Sequence, residues 1–253
     1  MKILLSPAKS LDFESEIPNV PVSKPLFSEE TSRIQECLKT KSVEELKSMM
    51  SLSTPLATLN FQRNQQFEAN PDAGKVRPAL FSFDGDVYKG LNAATLSDNE
   101  LARASHSLRI LSGLYGILRP FDTIQPYRLE MGTKITIGTS KNLYDFWRAL
   151  LTDALLNELS TGELIVNLAS VEYSKAVDLS VFSGRVVSPE FKDYKNGEYK
   201  IISFYAKKMR GVMARYLLGA NTEDSTVFTQ FESDGYRFDE RLTTDPLQPV
   251  YTR

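Results

Sequence analysis

The apolar positions of this 253-residue chain alternate between two periods, and the changes of period outline its elements. Met1–Leu5 reads MKILL and stops at Ser6-Pro7, which predicts a short buried strand followed by a turn. Residues 14–25 are polar and carry Pro18, Pro21 and Pro25, so an extended surface loop is expected there. Helical spacing follows over Ser28–Lys39, Ser42–Met50 and Leu56–Phe67, with Asn70-Pro71-Asp72 closing the third. Ser42 stands three residues before Glu45, and Ser97 three before Glu100; each pair predicts a capping box. The helix opened by Ser97 is expected to continue to Leu111. Ala79–Phe83 (ALFSF) predicts a short strand closed by Asp84-Gly85-Asp86. Asn142–Leu159 is amphipathic and Gly162 stops it, while Ala206–Leu218 is read as a last helix ended by Gly219. Glu163–Leu168, Arg185–Phe191 and Glu198–Tyr205 are rich in β-branched and aromatic residues, and a further strand is expected near Thr226–Phe231. Asn196-Gly197 between two of these runs is a hairpin turn signal. Strands early, middle and late with helices between them predict a mixed α/β (α+β) fold: one domain over residues 1–253, with a mixed sheet core surrounded by helices.

Composition narrows the function classes. The chain is 42% hydrophobic and 25% charged, ordinary for a soluble globular protein. No run approaches the ~20 apolar residues needed to span a bilayer, and MKILLSPAKS is too short for a signal peptide. A cytoplasmic protein with no membrane contact is therefore expected. One cysteine, Cys37, excludes an internal disulfide and lies in a polar helical pattern. One histidine, His106, excludes a multi-histidine metal centre; neither metal nor cofactor is expected, although carboxylates alone could hold a hard cation. The net charge of −2 argues against a nucleic-acid binder on the whole. The charges are nevertheless segregated: Lys192–Arg215 carries seven basic residues against two acids, and Glu223–Glu240 six acids against Arg237.

The stretch richest in candidate chemistry is Leu108–Gly132, LRILSGLYGILRPFDTIQPYRLEMG. Gly113 and Gly116 flank Tyr115, and Arg109, Arg119 and Arg128 surround them. A helix, a Gly-x-x-Gly turn and a following segment suggest a helix-hairpin-helix-like element whose backbone N–H groups and guanidinium forks would grip phosphates. The arginines could equally pair with Asp122 and Glu130 and stiffen the loop. Lys9, leaving the first strand behind Ser6, could meet an anion at a strand end, although no P-loop pattern is present. Asp84 and Asp86 suit a tight turn or a hard cation. Asn167, Ser170, Glu172 and Tyr173 leave the ELIVNL strand as a crevice floor would, with Ser170 also placed to cap a helix. Lys207, Lys208, Arg210 and Arg215 make the start of the last helix basic, attractive to phosphate or simply solvated.

Several segments taken together, Leu5–Phe13, Phe83–Leu91 (FDGDVYKGL), Leu108–Gly132, Asn142–Trp147 (NLYDFW), Val166–Tyr173 (VNLASVEY), Phe191–Arg215 and Phe231–Asp239, resemble the YaaA (UPF0246) family, the peroxide stress resistance proteins of bacteria. The resemblance runs in order over nearly the whole chain. It implies a cytoplasmic protein that helps cells survive hydrogen peroxide by limiting unincorporated iron. It also implies a family-specific α/β fold with a helix-hairpin-helix-like element and a basic cleft suited to duplex DNA; it supplies no catalytic residues. Two readings follow. In one, Arg109, Arg119, Arg128, Lys207, Lys208 and Arg210 hold double-stranded DNA non-specifically through its phosphates. In the other, the same cleft is an enzyme site for a small phosphorylated or nucleotide-like substrate, with Lys9, Asp84, Asp86, Asn167, Glu172 and Tyr173 gathered at strand ends.

Overall fold

The structure, a computed structural model, describes residues 1–182, 185–220 and 224–253. Glu223 of the acidic segment lies outside them. The first strand, Lys2–Leu5, sits at the middle of a five-stranded sheet. It pairs in parallel with Leu108–Ser112 on one side and with Ile165–Asn167 on the other. Val186–Val187 extends the sheet in parallel, and Gly116–Leu118 closes the opposite edge antiparallel. Ile3, Leu4 and Leu5 are buried with hydrophobic neighbours on both faces, which is why MKILL shows no alternation.

The same absence of alternation explains one correction. All of Leu108–Ser112 is buried, and the expected helix ends at Ser107. A strand covered on both faces is a continuous apolar run, and leucines at helical spacing in such a run carry no face information. The Gly113–Gly116 turn therefore joins two antiparallel strands, not two helices. Gly116 turns with φ +72°, and a Cβ there would come within 2.7 Å of the Trp147 ring. The Trp147 indole N–H donates to the Gly113 carbonyl at 2.9 Å, so both glycines serve packing.

A second five-stranded mixed sheet runs in the order Glu198–Lys200, Glu190–Lys195, Val250–Thr252, Tyr236–Phe238, Glu232–Ser233. Asn196 and Gly197 both have positive φ, as the hairpin turn between the first two requires. The expected strand Arg185–Phe191 is divided between the two sheets, and Glu198–Tyr205 gives way at Ser203 to the helix Ser203–Ala220. Two further short apolar runs are helical rather than extended: Ala79–Ser82, followed by a two-residue ladder at Phe83–Asp84, and Thr226–Thr229. Runs of four or five apolar residues do not distinguish a buried turn of helix from a strand. Both capping boxes form: Glu45 and Glu100 accept from the amides of Ser42 and Ser97, whose hydroxyls accept in return. Helices Ser28–Lys39, Thr54–Gln66 and Leu143–Glu158 also follow the sequence pattern. One buried apolar cluster runs from the first sheet to the second.

Candidate functional site

Three parallel strands, Lys2–Leu5, Leu108–Ser112 and Ile165–Asn167, end along the same edge of the first sheet, where open α/β sheets hold ligands. The residues that leave those ends converge. The Ser6 hydroxyl accepts from the Ser170 amide at 2.8 Å and donates to the Ser170 hydroxyl at 3.3 Å. The Tyr88 hydroxyl donates to the Ser6 carbonyl at 3.0 Å, and the Tyr127 hydroxyl shares a 2.6 Å hydrogen bond with Ser112. Tyr88, Tyr127 and Tyr173 are neighbours, and burial pushes all three phenols above their ordinary range. They form a neutral, hydrogen-bonded floor.

Charge gathers beside this floor. The Lys9 ammonium meets Glu130 at 2.7 Å, and Arg128 meets the other oxygen of the same carboxylate at 3.3 Å. Glu172 accepts from the Gly132 amide at 3.0 Å, and both carboxylates add to the rise of the Tyr173 phenol. Arg63, on the Thr54–Gln66 helix, feels the charge of Arg128: burial first, and then the Arg128 charge, depress its proton affinity. Its hydrogen bond is to the Asn60 side chain at 3.4 Å. The Arg128 Nε is buried with no acceptor. Lys9 and Arg128 thus share one carboxylate, and the charges of Arg128 and Arg63 oppose each other. An anion seated beside them would relieve that repulsion.

Of the residues expected from sequence, this crevice unites Ser6, Lys9, Arg128, Ser170, Glu172 and Tyr173. Others are placed elsewhere. Arg109 is only 5% exposed, and its guanidinium is consumed by Glu158 at 2.7 Å and by the carbonyls of Ser105 and Leu108. Arg119 grips the fully buried Asp122 with Nε and a terminal nitrogen at 3.0 and 2.8 Å, and donates to the Lys24 carbonyl. It stiffens its own loop. The Tyr115 hydroxyl accepts from the Gln125 amide and its buried ring meets Tyr127 edge-on at 5.3 Å, while Gly113 and Gly116 serve the packing around Trp147. Lys208 pairs with Asp234 at 2.6 Å, Arg215 is spent on the carbonyls of Leu91, Asn92 and Thr95, and Lys207 is solvated. Asp84 is exposed, 4.0 Å from Lys89, and Asp86 opens the short helix Asp86–Leu91. Among the described residues no group of three or more His, Cys, Asp or Glu side chains could hold a metal ion, and no helix is long and apolar enough to cross a membrane. Asn167 and Arg210 face a separate cavity, described below. Arg63, Tyr88, Tyr127 and Ser112 were not singled out from sequence. Arg63 lies in a polar helix, and its partner is sixty-five positions away, so nothing local marks it.

Comparison with known proteins covers the crevice completely. Residues 1–242 match the model of the family described as peroxide stress protein YaaA. The chain belongs to that family. A UPF0246 protein of Flavobacterium johnsoniae is 48% identical over 243 residues, 96% of each chain. A UPF0246 protein of Alteromonas mediterranea is 46% identical over 255 residues, covering all of this chain and 98% of its own, and one of Flavobacterium psychrophilum is 45% identical over 243 residues, 96% of each. Every crevice residue of this YaaA-family chain lies inside the matched span.

Proposed function

We propose that this chain serves peroxide resistance by binding a phosphate-bearing ligand in the crevice, with Arg63, Arg128 and Lys9 as its anion contacts. The observation that carries this reading is that Lys9 and Arg128 share the single carboxylate of Glu130, with the charge of Arg63 opposing that of Arg128. The buried tyrosine floor beside them stays neutral, so it brings no phenolate to compete with a bound anion. The test is calorimetric titration of inorganic phosphate and adenosine monophosphate into the wild type and the Arg63→Met/Arg128→Met variant. Each charge-assisted contact is worth about 1.5–3 kcal/mol, so the variant should bind at least about tenfold more weakly. Equal binding by both proteins, or none by the wild type, rejects the reading.

A second reading, duplex DNA, is favoured by a different surface. Tyr194, Tyr199, Phe204 and Tyr205 are exposed around the second-sheet hairpin and the start of the Ser203–Ala220 helix. Lys195, Lys200 and Lys207 are interleaved with them and exposed or partly so. Lysines gathered on one exposed surface suit contacts to the phosphates of a duplex. Duplex affinity should then fall about 40-fold between 50 and 200 mM salt for three phosphate contacts; a flat salt response excludes it. The limiting of unincorporated iron rests on the family's peroxide role. In cells depleted of this protein, restoring the wild type but not the Arg63→Met/Arg128→Met variant should lower loosely bound iron under peroxide.

A further inference from the structure

The basic segment Lys192–Arg215 contains one side chain that behaves unlike its neighbours. Lys192 pairs with Glu190, Lys200 with Glu198 and Lys208 with Asp234, while Arg215 is spent on backbone carbonyls. Lys195 and Lys207 are exposed to water. Arg210 is half-buried and, alone among these, has neither a protein acceptor nor full hydration. Its guanidinium lines a cavity of about 150 Å³ between the end of the Ile165–Asn167 strand and the start of Glu190–Lys195. Burial depresses its proton affinity, the direction expected for a cation without a counter-charge.

The neutral polar side chains of the cavity keep hydrogen-bonding capacity of their own. Asn167 uses its carbonyl oxygen on the Ala169 amide at 3.2 Å, which leaves its NH₂ group free. Ser188 and the exposed Gln248 line the same space, the hydroxyl and the side-chain amide each free of a protein hydrogen bond. The one carboxylate in the lining, Glu190, is neutralised by Lys192 at 2.8 Å. What remains is a single cation with neutral donors around it and apolar walls such as Phe191 and Ala169. The N–H donors of this guanidinium, claimed by no protein acceptor, are open to a ligand that enters the space.

We propose that this cavity binds a small molecule through one carboxylate or phosphate group held by Arg210, with Asn167, Ser188 and Gln248 completing its contacts. Its cation is recessed rather than spread over an open face, so it suits the end of a small ligand and not a duplex. It is separate from the Arg63–Arg128 crevice and does not depend on that reading. Gln248 also lies beyond residue 242, where the family match ends.

The experiment uses the full chain carrying Arg63→Met/Arg128→Met, so that the crevice is silent. Malonate and inorganic phosphate are titrated separately, followed by calorimetry and by thermal unfolding. Saturable binding of either anion at millimolar concentration, weakened at least about tenfold by a further Arg210→Met, is the expected result. Gln248→Ala and Ser188→Ala, which leave the buried helix face untouched, should each weaken it a few-fold, and they carry the test if Arg210→Met does not fold. Absence of saturable binding by both anions, or binding that these substitutions do not change, overturns the proposal.

Discussion

Arg109 is the substitution on which the structure and a count of cations disagree most, so Arg109→Met is the sharpest test of the architecture. Methionine fills most of the same volume and removes the charge. The loss comprises a 2.7 Å ion pair to Glu158 and hydrogen bonds of 2.6 and 3.2 Å to the carbonyls of Leu108 and Ser105. Breaking a fully buried ion pair costs about 3–5 kcal/mol. Here the Arg109 side chain is 7% exposed but Glu158 is 28% exposed, so the orphaned carboxylate can rehydrate, and about 2 kcal/mol is the expected cost. For a chain of this size each kcal/mol lowers Tm by roughly 2–4 °C, so a fall of about 4–8 °C should appear in thermal unfolding. Urea titration should show the midpoint moving with an unchanged slope. Phosphate and DNA affinities, measured where the variant is folded, should equal those of the wild type. A variant with wild-type Tm and lost anion binding would show that Arg109 faces a ligand, and the placement argued above would be wrong.

Three further outcomes are expected. A Cβ on Gly211 would overlap the Val87 carbonyl, and one on Gly90 the Lys208 carbonyl, because the Asp86–Leu91 and Ser203–Ala220 helices touch backbone to backbone; Gly211→Ala should therefore lower stability by about 2 kcal/mol even though alanine favours an isolated helix by about 1, and a raised Tm would refute the contact. Hydrogen bonds from Ser15, and then from the Glu14 amide, pull the Asp12 carboxyl from 3.8 to about 2. Its folded pKa lies below its unfolded one, so its stabilisation is full above about pH 4 and fades as pH falls toward 2; carbon-detected NMR titration should place the midpoint there, and a midpoint at the ordinary value removes the turn from the argument. Purified, dialysed protein should contain far less than one iron per chain by elemental analysis, since the crevice carboxylates Glu130 and Glu172 are bound to cations and to an amide; stoichiometric iron would contradict this.

What could be read from the chain without its structure depended on the range of the signal. Ser42 with Glu45, Ser97 with Glu100 and Asn196 with Gly197 act over three residues or fewer, and each forms as its spacing dictates. The amphipathic helices beginning at Ser28 and Leu143 carry their partner's position in their own periodicity. Leu108–Ser112 could not be read this way. Its neighbours are a strand more than a hundred residues earlier and one a few residues later, and only that sandwiching makes it extended. The Tyr236–Phe238 and Val250–Thr252 strands are three residues each, too short for a period, and are held by pairing with each other and with Glu190–Lys195.

The site obeys the same rule more strictly, because a charged side chain is available only if no nearer partner has claimed it. Leu108–Gly132 contains three arginines that look equivalent in sequence. The fold gives Arg109 a carboxylate forty-nine positions away, and Arg119 one three positions away that is itself buried. Arg128 receives half of a carboxylate shared with Lys9, and its charge opposes that of Arg63. Composition fixes how many cations a chain owns, while the positions of its acids decide which of them a ligand can use. For this chain that decision leaves Arg63 with Arg128, and separately Arg210, short of acceptors. An assay that ranks basic residues by charge alone would miss Arg63, which no local pattern marks, and would be misled by Arg109, which every local pattern favours.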